Sequence, residues 1–205
     1  MARIIHEPSA IERAVVQSSV KIFMINGPSR TSIAHLIKST GFSKAQFYKH
    51  FENKQDLYAA ILLENEQDFG SRISDMRKRE SLSKLLEDFL LFRIEDIEKF
   101  RLLIEIEVEL DESNNRCERY LNWKALNQQH ISEFTEVVAS HLPLSADRED
   151  AYAYYALVWA MARGFCSIAE TDRFYNLVQD RRAFTQFLLK ALQNLTSINL
   201  EKGGS

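Results

Sequence analysis

Glycine and proline are scarce in this chain, six and three among 205 residues, which excludes collagen-like repeats and low-complexity chains. Cysteine is scarcer still. Cys117 and Cys166 stand alone, too few for a disulfide framework and without a C-x-x-C pair. No apolar run is of membrane length: the longest uncharged one, Ala151–Ala162, falls short of the ~20 residues a span requires and reads as a buried helix. Residues 1–26 lack the clean apolar core of a secretory signal, because Glu12, Arg13 and Lys21 interrupt it. There is no Walker or dinucleotide glycine pattern and no H-E-x-x-H. Each Cys and His is isolated, and His130 and His141 stand eleven residues apart, so no metal site, catalytic residue or cofactor is expected. Asn194-Leu195-Thr196 fits a glycosylation pattern, but nothing else points to secretion. The expectation is a cytoplasmic protein with reduced thiols and no membrane partner.

What is present argues for a globular, helical protein. The chain is 45% apolar and 27% charged, enough for one large domain or a small one attached to a medium one. Its net charge of -3 conceals an asymmetry: residues 1–54 hold eight Lys/Arg against three acidic residues, the remainder 18 against 26. A +5 head on a -8 body hints at nucleic acid. The periodicity is helical nearly throughout. Pro8 suits a first turn, and Ile11, Ala14, Val15, Ser18, Ile22 and Ile25 trace one face of a first helix, with Phe23 beside it. Asn26-Gly27-Pro28-Ser29 stops that helix. A short second helix follows, capped by Thr31 or Ser32, then a turn at Gly41 and a third short helix from Ser43 to Phe51. A long helix is expected over 53–79, and five more over 81–98, 100–110, 115–141, 145–169 and 181–198. The alternation across Ile104–Leu110 is a strand signal, but no second strand is available, and Leu103, Ile106 and Leu110 also fit a helical stripe. The expected class is all-α, about nine helices in all.

The function is concentrated between Thr31 and Phe51. Two short helices joined by a glycine turn form a helix-turn-helix, whose second helix enters the major groove. At 100° per residue, Ser43, Phe47 and Phe51 point toward the first two helices. Ala45 and Lys49 point away, flanked by Lys44, Gln46 and Tyr48. Gln46 can pair bidentately with adenine, and Lys44 can reach guanine O6/N7. Tyr48, Lys49, His50 and Lys54 suit phosphates, as do Thr31 and, with Ser32 and Ser43, the starts of the helices they cap. The plainer alternative is three amphipathic helices with a solvated basic face, and His50 has an alternative role as a hydrogen-bonding residue at the helix end.

The run Gly27…Thr31-Ser32…Gly41-Phe42-Ser43-Lys44…Phe47-Tyr48-Lys49-His50-Phe51…Lys54-Gln55-Asp56-Leu57 resembles the N-terminal DNA-binding domain of TetR-type transcriptional regulators. The upstream Ala14…Phe23…Gly27 spacing resembles that family's first helix. Ala45 stands where the family often has Gly, Gln46 where Thr is frequent, Ile37 where Ala is common and Phe42 where Val is common. The resemblance implies a helix-turn-helix domain over 8–68, with the reading unit at about 32–51. It implies a helical regulatory and dimerisation domain over 69–199; residues 200–205 are expected to form a flexible tail.

Ala151–Ile168 is apolar on every side and must be buried on every side. Ala153, Ala156, Ala160 and Gly164 form a small-residue stripe suited to close approach of a second subunit. Phe184, Phe187, Leu188, Ala191 and Leu195, with Ile198, line the last helix. Two half-sites ~34–36 Å apart need two recognition helices, so a homodimer on a double-stranded, near-palindromic operator is expected. The resemblance implies that the last two helices form the dimer face and that the body holds a pocket for a small-molecule effector whose binding releases DNA, making the chain a repressor. Candidate lining residues are Phe89, Phe92, Trp123, Asn127, His130, Phe134, Tyr155, Trp159 and Phe165, the aromatics among them being equally suited to plain core. Two rival readings stand: an all-α enzyme or small-molecule carrier with an incidental basic head, and a TetR-like regulator controlled by a protein partner without inducer.

Overall fold

The computed structural model describes residues 9–79, 81–113, 116–143, 147–178 and 180–202, with side chains described as far as Thr196. Ten helices occupy the described residues: α1 (Ala10–Asn26), α2 (Ile33–Thr40), α3 (Lys44–His50), α4 (Lys54–Met76), α5 (Leu82–Ile94), α6 (Ile97–Glu112), α7 (Glu118–Ala139), α8 (Arg148–Ile168), α9 (Asp172–Val178) and α10 (Arg181–Lys202). No strand occurs among them, and none of these helices is long and apolar enough to cross a membrane. Pro8, the expected first-turn residue, lies outside the described residues.

Side-chain caps fix where the helices begin. Ser9, Ser32, Ser43 and Ser81 accept hydrogen bonds from the backbone N–H three residues on, as does Asp147. Of the caps that the sequence reading did not name, two more move helix boundaries. Asp96 Oδ1 accepts from Lys99 N–H at 2.9 Å, so α5 ends at Ile94 and α6 starts at Ile97, where one helix had been expected as far as Glu98. Thr171 Oγ1 accepts from Phe174 N–H at 3.2 Å, opening α9, a helix not expected at all. At the other end α10 runs to Lys202, into the segment expected to be a tail. The Ile104–Leu110 alternation lies within α6.

The chain packs as two compact units. The first comprises the described residues up to Asp68 together with Arg101–Gln128; the second comprises Phe69–Phe100 with the described residues from Gln129 onward. The N-terminal segment of the first unit ends at Asp68, and Arg101–Gln128 packs with it. In the first unit Phe23, Phe47, Phe51, Leu57 and Tyr58 are almost wholly buried, with the Phe23 and Tyr58 rings edge to face at 5.4 Å. α1 buries Glu12, Val15, Val16, Ser19 and Phe23. The face traced from the sequence is rotated from this one, and Ile11 and Ile25 are 43% and 82% exposed.

In the second unit α8 and α10 both pack on α5. Its centre is aromatic: Phe69 stacks on Phe89 at 5.4 Å and on Phe92 at 5.2 Å, and Phe89 stacks on Tyr155 at 5.2 Å. The buried Arg93 guanidinium lies 4.6 Å from the Phe69 ring and 5.4 Å from the Phe89 and Phe92 rings, so ring faces meet its charge. Gly70, inside α4, lets the buried His130 ring approach: a Cβ there would lie 2.5 Å from His130 Nε2. Gly→Ala inside a helix ordinarily gains about 1 kcal/mol, whereas overpacking costs about 1–3 kcal/mol. With His130 edge-on to Phe69 and little room to retreat, overpacking wins. Gly70→Ala is expected to lower the midpoint of thermal unfolding, and His130→Ala in the same chain to restore part of the loss.

Candidate nucleic-acid interface

α2 and α3 are short because each is closed by its own turn. Gly27, at φ 81°, ends α1 by donating its N–H to the Phe23 carbonyl at 2.8 Å, and Gly41, at φ 74° in the left-handed region, ends α2. Thr31 is buried, and its hydroxyl donates to the Gly27 carbonyl at 2.8 Å. Of the two cap candidates Ser32 is the one used, so Thr31 shapes the turn and keeps its hydroxyl away from solvent. α2 packs on α1 and α3 on α2. Ile37 and Phe42, which replace smaller residues of the family pattern, are half-buried.

On α3, Phe47 and Phe51 face inward and are buried, while Lys44, Ala45, Gln46, Tyr48 and Lys49 are exposed. The Lys44 ammonium lies 5.9 Å from the Tyr48 ring. Ser43 and Gln46 form a reciprocal capping box: Gln46 N–H donates to Ser43 Oγ at 3.1 Å, and Ser43 N–H donates to Gln46 Oε1 at 2.8 Å. The two residues expected near phosphates at the end of α3 are less open. His50 Nδ1 lies 3.9 Å from Glu12 Oε2. Lys54 is half-buried with its ammonium 5.3 Å from the Tyr58 ring; burial lowers its pKa, and the Glu109 carboxylate works against that shift.

An ionic centre that the sequence did not announce stands behind these helices. Arg119, on α7, donates to Glu12 Oε1 of α1 and to Asp56 Oδ1 of α4, both at 2.7 Å, and its guanidinium lies 5.2 Å from the Phe51 ring. Asp56 Oδ2 also accepts from Glu52 N–H at 3.1 Å, and Asn53 Oδ1 accepts from Asp56 N–H at 2.9 Å. The turn between α3 and α4 is thus held by the same carboxylate that Arg119 neutralises. Glu109 of α6 accepts from the Ser29 hydroxyl in the turn after α1.

The candidate effector residues are divided between the two units. Phe89, Phe134 and Tyr155 pack together in the second unit with Phe92 and His130 close by through Phe69. Trp123 belongs to the first unit, 5.7 Å from Tyr120, and Asn127 there donates to the buried Glu66 at 3.1 Å. Trp159 is 38% exposed, with the Arg163 guanidinium 4.6 Å from its ring. Phe165 packs against Phe174 and Phe184 and lines an open groove of about 590 Å³ between α5, α8 and α10, together with Leu91, Ile94, Ile97, Glu170 and Arg181. The small-residue stripe of α8, Ala153, Ala156, Ala160 and Gly164, is exposed in the single chain, and nothing approaches the Cβ position of Gly164. On α10, Phe187 and Leu195 are exposed, and Phe184, Leu188 and Ala191 are half-buried.

Residues 15–61 match the family model described as bacterial regulatory proteins, tetR family. No curated protein matches the chain. The fold is similar to that of the fatty acid degradation regulator FadR from Bacillus halodurans, at 13% identity and a TM-score of 0.67, covering 93% of this chain and 96% of that one. It is similar to the transcriptional regulator FadR from Bacillus subtilis in complex with stearoyl-CoA, at 14% identity and a TM-score of 0.62, covering 88% and 96%. A third likeness is to AibR in complex with isovaleryl coenzyme A and operator DNA, at 16% identity and a TM-score of 0.55, covering 75% and 86%. At these identities the likeness is one of fold.

Removing Arg119 strands two buried carboxylates. Breaking a fully buried pair costs about 3–5 kcal/mol; Arg119 is 22% exposed, so a loss of about 1–3 kcal/mol is expected for Arg119→Ala in urea unfolding. Arg119→Lys is expected to recover only part, since one ammonium does not bridge two carboxylates and a ring face as a guanidinium does. Additive losses in a double-mutant cycle with Glu12→Gln would refute the bridge.

Proposed function

Because the chain belongs, through the domain matched at residues 15–61, to the tetR family of bacterial regulatory proteins, we propose that it is a homodimeric repressor. In this reading it binds a near-palindromic operator and is released by a small molecule bound in its second unit. The family is one of DNA-binding regulators rather than enzymes. The observation that carries the DNA-binding reading is the exposed face of α3: Lys44, Ala45, Gln46, Tyr48 and Lys49 all reach solvent while Phe47 and Phe51 anchor the helix. Ser32, Ser43 and the backbone N–H groups at the helix starts complete the phosphate contacts, and His50 and Lys54 flank them.

The homodimer is supported by the open side of α8 and α10, where the stripe at Ala153, Ala156, Ala160 and Gly164 lies exposed and Phe187 is 64% exposed. An apolar face of this kind on a helix pair marks an interface. The effector is supported by two structural neighbours that carry acyl-coenzyme A thioesters and by the groove at Phe165. That groove joins apolar Leu91, Ile94 and Ile97 to charged Glu170 and Arg181, a lining suited to a ligand with an apolar body and a polar end.

Genome-wide mapping of bound DNA tests the reading directly, with a near-palindromic motif as the expected result. On that operator Lys49→Ala is expected to weaken binding and to reduce the slope of log K against log salt by about one; Tyr48→Ala is expected to weaken binding as well. Undiminished binding by both variants would remove α3 as the DNA face. Phe187→Glu together with Ala160→Glu is expected to give monomers in sedimentation equilibrium and to abolish tight operator binding. For the effector, acyl-coenzyme A thioesters of graded chain length are the first compounds to assay; the reading requires one of them, or another small molecule, to raise the melting temperature and release the operator.

A further inference from the structure

The carboxylates of α5 and its C-terminal end are all committed. Glu87 holds Lys84 at 3.4 Å and accepts from Gln193 at 2.7 Å, Asp88 takes Arg79, and Glu95 takes Arg72 at 3.5 Å. Arg93, on the same helix, is only 8% exposed. Its Nε is sealed from solvent without a hydrogen-bond partner, and among the described residues no carboxylate reaches its guanidinium. Its company is four rings, those of Phe69, Phe89, Phe92 and Phe100, at 4.6, 5.4, 5.4 and 5.7 Å. Ring faces attract the charge, but an N–H over a ring is a weak contact, and an unmet charged donor keeps its cost of desolvation. We propose that Arg93 is a ligand-binding residue, the anchor for the carboxylate of a monocarboxylic acid with an apolar body. The proposal rests on the second unit as the effector-binding body and names the chemical class of the effector. Arg93 does not line the groove at Phe165, so this is a second site in that unit.

The surroundings select one negative charge on a planar, two-oxygen group. A guanidinium carries its donors in a fork that a carboxylate meets with two parallel hydrogen bonds. The two Nη atoms, unlike Nε, are not sealed, so the open edge of the fork is the one a ligand meets. One buried cation neutralises one anion. A phosphate monoester carries about −1.5 to −2 charges at neutral pH, which would leave charge unpaired against phenylalanine rings, where it is costly. A coenzyme A thioester presents an uncharged acyl end and keeps its charges on distant phosphates. The rings suit the rest of the acid. Phe92 is half-buried and also lines an open groove of about 540 Å³ between α4 and α5, so the cluster opens to solvent on that side.

The test is calorimetric titration of the full-length chain with straight-chain monocarboxylates from butyrate to dodecanoate and with benzoate. The acid that binds best is then compared with the alcohol, the phosphate ester and the coenzyme A thioester of the same carbon skeleton. At least one acid is expected to bind and to raise the melting temperature, with the three comparison compounds weaker. Arg93→Met, of similar length and without charge, is expected to lose about 10–100-fold in affinity for the acid, the worth of hydrogen bonds to a charged group. Its preference for the acid over the alcohol is expected to vanish, a change that a purely structural cation would not produce. Arg93→Lys keeps the charge without the fork and is expected to fall between. Binding of none of the acids, tighter binding of the phosphate ester or thioester, or an undiminished acid preference in Arg93→Met would overturn the proposal. An acid that binds through Arg93 yet leaves operator DNA bound would remove the effector reading and leave the site standing. Release of DNA by a compound that Arg93→Met binds as tightly as the wild-type chain would overturn the site as that of the effector and keep the reading.

Discussion

The first unit depends on a single cation. Glu12 and Asp56 are both buried, and a buried carboxylate is tolerated only where charge or hydrogen bonds compensate its lost hydration. Arg119 supplies that compensation to both at once, 2.7 Å from each, and turns its face to Phe51. Its partners lie on α1 and α4, and the ring it covers closes α3, so one side chain of α7 ties three of the four helices that build the head. Asp56 additionally accepts from Glu52 N–H, which extends the constraint into the turn after α3. α3 is thus framed at its start by the Ser43–Gln46 box and at its end by the ionic centre.

This centre also explains which parts of the fold were legible in the sequence. Helix class, the stops at Gly27 and Gly41 and the caps at Ser32 and Ser43 are local signals, and local rules read them. The buried face of α1 was misplaced for a physical reason. A pattern that sends charge to the surface excludes Glu12 from the core and so turns the helix toward Ile11 and Ile25, which the structure exposes. Glu12 is buried because Arg119 meets it across 107 residues of sequence, a separation at which no spacing rule operates. Asp96 and Thr171 are a different failure: both are ordinary cap residues, obscured because the apolar periodicity runs on through Ile94–Ile97 and because α9 is only seven residues long.

The same long-range pairing ties α7 to the helices of the first unit. α6 carries Glu105, Glu107, Glu109, Asp111 and Glu112, and from the sequence these belong to the acidic body. The structure groups Arg101–Gln128 with the head, where Glu109 accepts from Ser29 and stands beside Lys54 and Tyr58. Burial first, and then the Glu109 and Glu105 carboxylates, push the Tyr58 hydroxyl far above the ordinary tyrosine range. It stays a neutral group in the core of the head. The basic head and acidic body of the linear sequence therefore do not correspond to two separate bodies in space; acid is interleaved with base inside the first unit.

That interleaving bears on how such a head holds DNA. Of the cations at and beside α3, Lys44 and Lys49 are exposed, whereas Lys54 is half-buried and His50 faces Glu12. Arg13, Lys21, Arg30 and Lys38 of the first unit are exposed as well, and each of these that neutralises a phosphate would add about 0.9 to the salt slope. In the proposed homodimer, base contacts by Tyr48, Gln46 and Lys44 would add to this, and joining two heads would present the second at a high effective concentration. On that proposal operator recognition rests on pairing, and a change that separates the pair would release DNA.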